Sequence, residues 1–340
     1  MDDATSNDDN GRLQKQVRDF IVAQSPVYLH LESLRKEGWA SAAGDQFFKR
    51  QRELTATPNN DYFFKMTKFV GVQMQNQTMA FNVLKKSTEP CALDMGMAPG
   101  GFSETMLTLF KKTKVTAITL PESQGGYPTS LQDDNLKLMF YDINDLVGDV
   151  GLDHISEMRS SESTVMDKLL GAQVYDVVIC GSQATQARKM ALEFPARYSE
   201  RLQLAQLVIA MSHLKDNGTV IAVMHKPENH KTAELLRIFS SIADICLFKP
   251  NKVHSKRSSF YMVAKNVKPS SPAAIQALKE WREEWRVATM VSNDPLYCRK
   301  EKSVEEVEKM LKEFGDELVR LGNPIWAIQA KALEKAPFMN

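Results

Sequence analysis

One segment of this chain limits its fold more than any other: an apolar run ends in an acid and leads through a glycine-rich turn into an amphipathic helix. It reads A-L-D-M-G-M-A-P-G-G-F-S-E from Ala92 to Glu104. Gly96 and Gly100 let the backbone approach a ligand closely, and Pro99 stiffens the turn. The amides that open the helix point toward a bound carboxylate or phosphate, and Asp94 is placed for an amine or a hydroxyl. The segment predicts a parallel α/β sheet with a ligand at its carboxyl edge.

Two phosphate-binding interpretations of this turn fail on spacing. The chain contains no G-x-x-x-x-G-K-[ST] sequence, which excludes a P-loop, and G-M-A-P-G-G does not fit the dinucleotide fingerprint. What remains is a ligand with an amino-acid end and a nucleoside end.

From about residue 90 onward, short β-rich runs alternate with helical stretches at the spacing of βαβ units. The pattern predicts strands over residues 91–95, 115–120, 136–141, 175–180, 219–224, 242–248 and 259–264. It predicts intervening helices over residues 101–111, 163–170, 197–214 and 231–240. The last two strands are joined by a loop too short for a crossover helix, so the final strand should be antiparallel. This outline is similar to the seven-stranded, Rossmann-like sheet of class I methyltransferases.

Helical segments flank the predicted sheet. We expect disorder over residues 1–10, a helical N-terminal arm over 11–60, a methyltransferase-like domain over 61–268 and a helical C-terminal extension over 269–340. One long amphipathic helix is predicted over 62–84, and the extension should contain helices over 273–290, 304–321 and 325–333. Trp281 and Trp285 are spaced i, i+4, which favours packing of the extension against the sheet over stacking on bases.

Charge and cysteine content narrow the class of protein. Lys and Arg total 43 against 42 Asp and Glu, so the net charge of +1 gives no chain-wide field for nucleic acid. Four widely separated cysteines form no C-x-x-C pair, so neither a metal site nor disulfides are expected. The acidic N-terminus lacks a presequence pattern and no run is long enough to span a membrane. We therefore expect a soluble intracellular protein, cytoplasmic with the nucleus left open.

The sequence D-M-G-M-A-P-G-G-F-S resembles the S-adenosylmethionine loop of FtsJ-like (RrmJ-type) methyltransferases, which methylate ribose 2′-hydroxyls of RNA. Further short matches to the family follow in order at the second, third, fourth, fifth and last predicted strands, and the resemblance covers roughly residues 60–268. The resemblance implies that S-adenosylmethionine is bound, with Asp142 at the adenine. Methyltransferases of this class often place an acid at the end of the second strand to bind the ribose hydroxyls of the cofactor. Glu122 lies two or three residues beyond that position, so it is a weaker candidate for this role. The cofactor-binding set implied in this way is Asp94, Gly96, Ala98, Pro99, Gly100, Gly101, Phe102, Leu120, Asp142 and Gly181.

The catalytic pattern of that family, a Lys-Asp-Lys-Glu tetrad, is largely missing here. Its first lysine falls on Lys65 or Lys68, but Gly181, Val223 and Ser259 stand where the Asp, the second Lys and the Glu belong. A ribose hydroxyl has a high pKa, so such a site should activate it poorly. The catalytic candidates are therefore Lys65, Lys68, His225, Lys226 and Ser259.

Substrate-binding candidates lie at the predicted strand ends and in the basic loop before the last strand. They are Gln183, His254, Lys256 and Arg257. Three hypotheses remain open: methylation of RNA, methylation of a small molecule with a more acidic or preactivated acceptor, and a cofactor-binding protein that has lost methyl transfer. The oligomeric state is not predicted.

Overall fold

The computed structural model describes residues 3–56, 60–151, 169–193, 195–290 and 302–339. The N-terminal helices are α1 (Asp3–Gln24), α2 (Pro26–Ala40), α3 (Ala42–Ala56) and α4 (Asn60–Thr78). The strands are β1 (Cys91–Met95), β2 (Lys114–Thr119), β3 (Leu136–Phe140), β4 (Tyr175–Cys180), β5 (Leu214–His225), β6 (Asp244–Phe248) and β7 (Ser259–Val267). The later helices are α5 (Gly101–Leu109), α6 (Val147–Val150), α7 (Gln186–Met190), α8 (Pro195–His213), α9 (His230–Ile242), α10 (Pro272–Met290) and α11 (Val304–Glu334).

The described strands form one sheet in the order β3-β2-β1-β4-β5-β7-β6. Neighbours from β3 through β5 run parallel, while β7 is antiparallel to both β5 and β6. This confirms the predicted class I methyltransferase fold, including its antiparallel last strand. Met95 is in register with Cys180, so the glycine loop after β1 lies beside the end of β4.

Successive side chains of each strand point to opposite faces of the sheet, and this alternation divides the core into two layers. Val177 and Ile179 of β4 pack in the layer that contains α4 and α5. Val178 and Cys180 point the other way, into the layer that contains α8, α9 and the flanking arms. Both faces of the parallel sheet are thus covered, as its continuous apolar strands require.

The flanking segments are part of the same core. α11 packs on α1 and α2, and α10 packs on α8. Trp285 is fully buried and Trp281 is nearly so, with the Trp281 ring stacked on Phe239 of α9. α11 begins with a capping box between Ser303 and Glu306 and continues through Pro324. It therefore replaces the two helices that were predicted over 304–321 and 325–333.

Several predicted boundaries differ from the structure. The helix predicted over 62–84 ends at Thr78, because Met79 has a φ of 56° and a 3₁₀ turn follows over Asn82–Lys85. α1 begins at Asp3, so residues 3–10, expected to be disordered, are helical. Of the helix predicted over 163–170, residues 163–168 lie outside the described residues.

Candidate functional site

A cavity of about 750 Å³ opens at the carboxyl ends of β1, β4 and β5, beside the start of β7. We call it the strand-end cavity. Its floor is formed by the sheet and its walls by α2, α3, α4, α7 and the end of the chain after α11. The crevice beyond the carboxyl ends of the strands is where open α/β sheets bind their ligands.

The predicted site residues divide between this cavity and its surroundings. All four substrate-binding candidates line it, together with three of the catalytic and three of the cofactor-binding candidates: Gln183, His254, Lys256, Arg257, His225, Lys226, Ser259, Ala98, Pro99 and Gly181. The other cofactor-binding candidates are Asp94, Gly96, Gly100, Gly101, Phe102, Leu120 and Asp142, and none of them lines the cavity. The structure thus brings the end of the glycine loop to the polar groups of β5 and β7.

The glycine loop has the close packing that its sequence indicates. Gly96 has a φ of 88°, and a Cβ atom there would lie 2.4 Å from the backbone of Ser182. Gly101 is packed as tightly on α4, since a Cβ atom would lie 2.2 Å from the backbone nitrogen of Lys68. Side chains at these positions would push the loop away from the sheet and from α4.

Asp94 is a buried acid with few partners. Its Oδ2 accepts a hydrogen bond from Ser103 Oγ at 2.7 Å, and burial raises the pKa of the carboxyl group to about 6. A buried carboxylate is costly unless a positive group or several donors stabilise it. The primary amine of a methionine-like ligand would supply such a group, so this half of the site fits S-adenosylmethionine.

At the adenine end, Asp142 is already engaged by this chain. Its Oδ2 accepts from Arg188 Nη2 at 3.0 Å and from Tyr198 Oη at 2.8 Å, and its Oδ1 accepts from the backbone of Asn144 at 2.9 Å. The carboxylate is almost completely buried. An adenine amine can reach it only after Arg188 has moved, so as they stand these residues fit the methionine half of the cofactor and not the adenine half.

The segment after β2 folds over the same loop. Leu131 lies 3.3 Å from where a Cβ atom of Gly100 would stand, and Thr129 Oγ1 donates to the carbonyl of Pro99 at 3.1 Å. Gly126 packs onto the carbonyl of Leu120, where no side chain fits. Glu122 is exposed at the start of a 3₁₀ turn.

The two lysines carried over as the first tetrad member lie outside the cavity. Lys68 Nζ donates to Glu104 Oε1 of α5 at 2.9 Å, and Lys65 is exposed to solvent. Met66 and Thr67 line the cavity instead. The helical phase of α4 turns the lysines away, so their predicted catalytic placement is not met.

His225 and Ser259 face each other across β5 and β7. His225 Nε2 lies 3.4 Å from Gln183 Oε1. Desolvation within the cavity lowers the pKa of His225, and the nearby charges of Lys189, Lys249, Arg257 and Lys226 lower it further. The imidazole is therefore neutral at pH 7 and can accept a proton.

Lys249, at the end of β6, is a site residue that the sequence analysis missed. Its ammonium is buried and donates to the carbonyls of Arg257 at 2.5 Å, Ser259 at 2.8 Å and His254 at 3.4 Å. Through these hydrogen bonds, Lys249 holds the loop that carries Lys256 and Arg257. Burial lowers its pKa to about 7, with Arg35 acting in the same direction.

Comparison with known proteins gives a family for this chain. Residues 72–267 match the model of the FtsJ-like methyltransferase family. The chain belongs to that family. The FtsJ-like region begins within α4 and ends with β7, so α1 to α3 and the two C-terminal helices lie outside it.

Solved structures similar to this chain include other methyltransferases. An rRNA methylase from Streptococcus thermophilus is 15% identical, with 56% of this chain and 95% of that chain covered and a TM-score of 0.32. Human methyltransferase-like protein 13, in complex with SAH, is 13% identical. The match covers 67% of this chain and 94% of that chain, with a TM-score of 0.35. The N-methyltransferase NodS from Bradyrhizobium japonicum WM9, in complex with SAH, is 11% identical. The match covers 64% of this chain and 97% of that chain, with a TM-score of 0.35. No curated protein sequence matches the chain significantly.

Two negative findings apply to the residues that the structure describes. Among them, no three His, Cys, Asp or Glu side chains are grouped so that they could hold a metal ion. Across the same residues, every helix is either too short or too polar to cross a membrane.

Proposed function

We propose that the chain is an S-adenosylmethionine-dependent methyltransferase whose acceptor binds in the strand-end cavity. One observation carries the proposal: Ala98, Pro99 and Gly181, which belong to the cofactor-binding set implied by the family resemblance, share a cavity with His225 and Ser259. In open α/β folds this edge of the sheet is where cofactor and substrate meet.

The cofactor would be held at its amino-acid end by Asp94 and by the backbone of Gly96 to Gly101. When bound, S-adenosylmethionine supplies a methyl group on a positively charged sulfur, which is already a good electrophile. The protein then has to position the acceptor and take up its proton.

His225 is the proposed proton acceptor because it is neutral and opens into the cavity. Gln183 Oε1, 3.4 Å from His225 Nε2, accepts a hydrogen bond from the imidazole and orients it. With Nε2 held as the donor, Nδ1 is the atom that takes the proton. Lys226 stabilises negative charge on the acceptor oxygen.

The RNA ribose acceptor implied by the family is one form of this proposal. It calls for activation of a weakly acidic hydroxyl, and the lysines expected to help, Lys65 and Lys68, lie outside the cavity. We therefore expect an acceptor that is more acidic than a ribose hydroxyl.

A second candidate is a protein of this family that has lost both cofactor binding and methyl transfer. The observation in its favour is the engagement of Asp142 by Arg188 and Tyr198, which occupies the adenine end of the cofactor site.

Calorimetric titration with S-adenosylhomocysteine distinguishes the proposed methyltransferase from the second candidate. The first candidate predicts saturable binding by the wild type, loss of binding in Gly96→Val, and unchanged binding in Lys309→Gln, which alters an exposed side chain of α11. The absence of any heat of binding in the wild type would reject the first candidate and support the second.

A further inference from the structure

The strand-end cavity concentrates positive charge in a protein that is almost neutral overall. Its lining side chains include Arg35, Lys189, Lys226, Lys256 and Arg257, but among the described lining residues Asp45 is the single acid. Arg35 is neutralised by Glu228. The other four leave a local excess of about three positive charges, against +1 for the whole chain.

Arg257 is the most informative of these cations. Its guanidinium is half-buried, and no described carboxylate lies within ion-pair distance of it. Burial lowers the pKa of Arg257, an effect that the neighbouring Tyr127 opposes. A planar guanidinium held in a cavity without an acid partner is suited to a carboxylate or phosphate from a ligand.

Several contacts hold the backbone of the loop that carries Arg257. Lys249 anchors its carbonyl oxygen, and Gln329 of α11 donates to the carbonyl of the preceding residue, Lys256, at 3.1 Å. Lys256 in turn lies 5.7 Å from the centre of the Phe47 ring of α3. Both flanking arms therefore help to hold the backbone that carries Arg257, as an anion-binding site requires.

Aromatic side chains supply the remaining walls. Phe63 and Tyr127 stack with ring centroids 6.0 Å apart, and Phe48 and Phe338 pack with centroids 5.5 Å apart. These four rings, together with Trp39, line the cavity. Four of the five, Trp39, Phe48, Phe63 and Phe338, lie outside the FtsJ-like region, and all of these except Phe63 come from the arms. Flat aromatic walls favour a planar ligand.

We propose that the arms and the loop around Arg257 form a binding site for a small aromatic anion: one ring that carries a carboxylate and an acidic hydroxyl. The proposal rests on the proposed function in that the hydroxyl would be the methyl acceptor. The volume of about 750 Å³ lies within the range of small-molecule sites. A long RNA needs a track of several phosphate contacts, whereas here the excess charge is gathered in one cavity.

The test uses three ligands with the same ring and different charge, titrated into the full-length wild type: 3,4-dihydroxybenzoate, catechol and dopamine. We expect the anionic ligand to bind at least tenfold more tightly than neutral catechol, and the cationic dopamine to bind weakest. Equal affinity for all three, or a preference for dopamine, would overturn the proposal. A 20-nucleotide RNA that binds more tightly than the acid and displaces it would also overturn it, in favour of an RNA site.

Substitutions of Arg257 test whether the aromatic anion binds beside this residue. Arg257→Gln should weaken binding of 3,4-dihydroxybenzoate roughly tenfold or more, Arg257→Lys should weaken it less, and the control Lys309→Gln should not change it. Unchanged affinity in a folded Arg257→Gln protein would contradict the assignment. These titrations need no cofactor. Binding of the acid without binding of S-adenosylhomocysteine would refute the proposed function and leave the aromatic-anion site standing, and the reverse result would refute the site alone.

Discussion

Arg35 of α2 and Glu228, which follows β5, form a buried ion pair in which Arg35 Nη1 lies 2.6 Å from Glu228 Oε1. Glu228 Oε2 also accepts from Trp326 Nε1 of α11, and Arg35 Nη2 donates to Gln329 Oε1 of the same helix. One ion pair thus joins both flanking arms to the strand end that carries His225. The arms and this edge of the sheet form one structural unit.

Arg35→Met should destabilise the fold by about 3 to 5 kcal/mol, because the Glu228 carboxylate would remain buried without its partner. The double variant Arg35→Met with Glu228→Gln should recover part of the loss. Chemical denaturation measures both. The exposed pair of Arg320 and Glu317 is the matched control, and Arg320→Gln should change stability by no more than about 1 kcal/mol. A cost for Arg35→Met as small as that of the control would contradict the role given to the buried pair.

The raised pKa of the Asp94 carboxyl group predicts that the stability of the fold depends on pH. Its folded-state pKa of about 6 exceeds the ordinary value of 3.8, so between these values the folded state binds more protons than the unfolded state. The contribution of Asp94 to stability therefore falls as pH rises from about 4 to 6. Asp94→Asn removes this dependence, so its stability relative to the wild type should rise over that interval, by at most about 3 kcal/mol, and stay level above it.

Denaturation of the free wild type and of Asp94→Asn at pH 4.5, 6 and 7.5 measures this difference. A difference that is constant with pH, or one that shrinks as pH rises, would show that Asp94 is not a strained buried acid.

Arg188 should compete with the cofactor for Asp142. Arg188→Ala removes one donor from the Asp142 carboxylate, so the affinity for S-adenosylhomocysteine should rise about tenfold, whereas Asp142→Ala should lower it. Calorimetry with Lys309→Gln as control measures both effects. Equal or weaker binding by Arg188→Ala would mean that Arg188 supports the site instead of blocking it.

Trp285 tests whether the C-terminal extension is integral to the fold. Its ring is fully buried, and the Arg201 guanidinium lies 5.6 Å from the ring centre. Trp285→Ala should cost about 3 to 5 kcal/mol through the cavity it leaves. A largely exposed position such as Lys15, changed to Ala, is the comparison. A loss below about 1 kcal/mol for Trp285→Ala would indicate that the extension folds separately from the sheet.

The sheet was predictable because its signals are local. Strands β1 and β4 have the predicted bounds, since each is a short apolar run that ends at a turn. The antiparallel orientation of β7 followed from the short loop that precedes it, whereas the order of the strands in the sheet was not predicted. Helix ends were less predictable: nothing in the sequence around Met79 indicates its positive φ.

The candidate site was predictable only in part, because its geometry depends on long-range contacts. Ala98, Gly181 and His225, each singled out from the sequence, line one cavity at the strand ends. The pairing of Lys68 with Glu104 and the engagement of Asp142 by Arg188 join residues 36 and 46 positions apart, and no local pattern signals them. The same holds for the arms, whose aromatic residues become part of the cavity only through the packing of α11 on α2.

The central claim is that a methyl group moves from S-adenosylmethionine to an acidic hydroxyl held beside His225. The most direct measurement is transfer of a tritiated methyl group to 3,4-dihydroxybenzoate by the wild type and by His225→Ala. We predict label in the aromatic acid with the wild type, a rate about 10²-fold or more lower in His225→Ala, and equal affinity of both proteins for S-adenosylhomocysteine. Absence of label in the acid, or equal rates for the two proteins, would contradict this account.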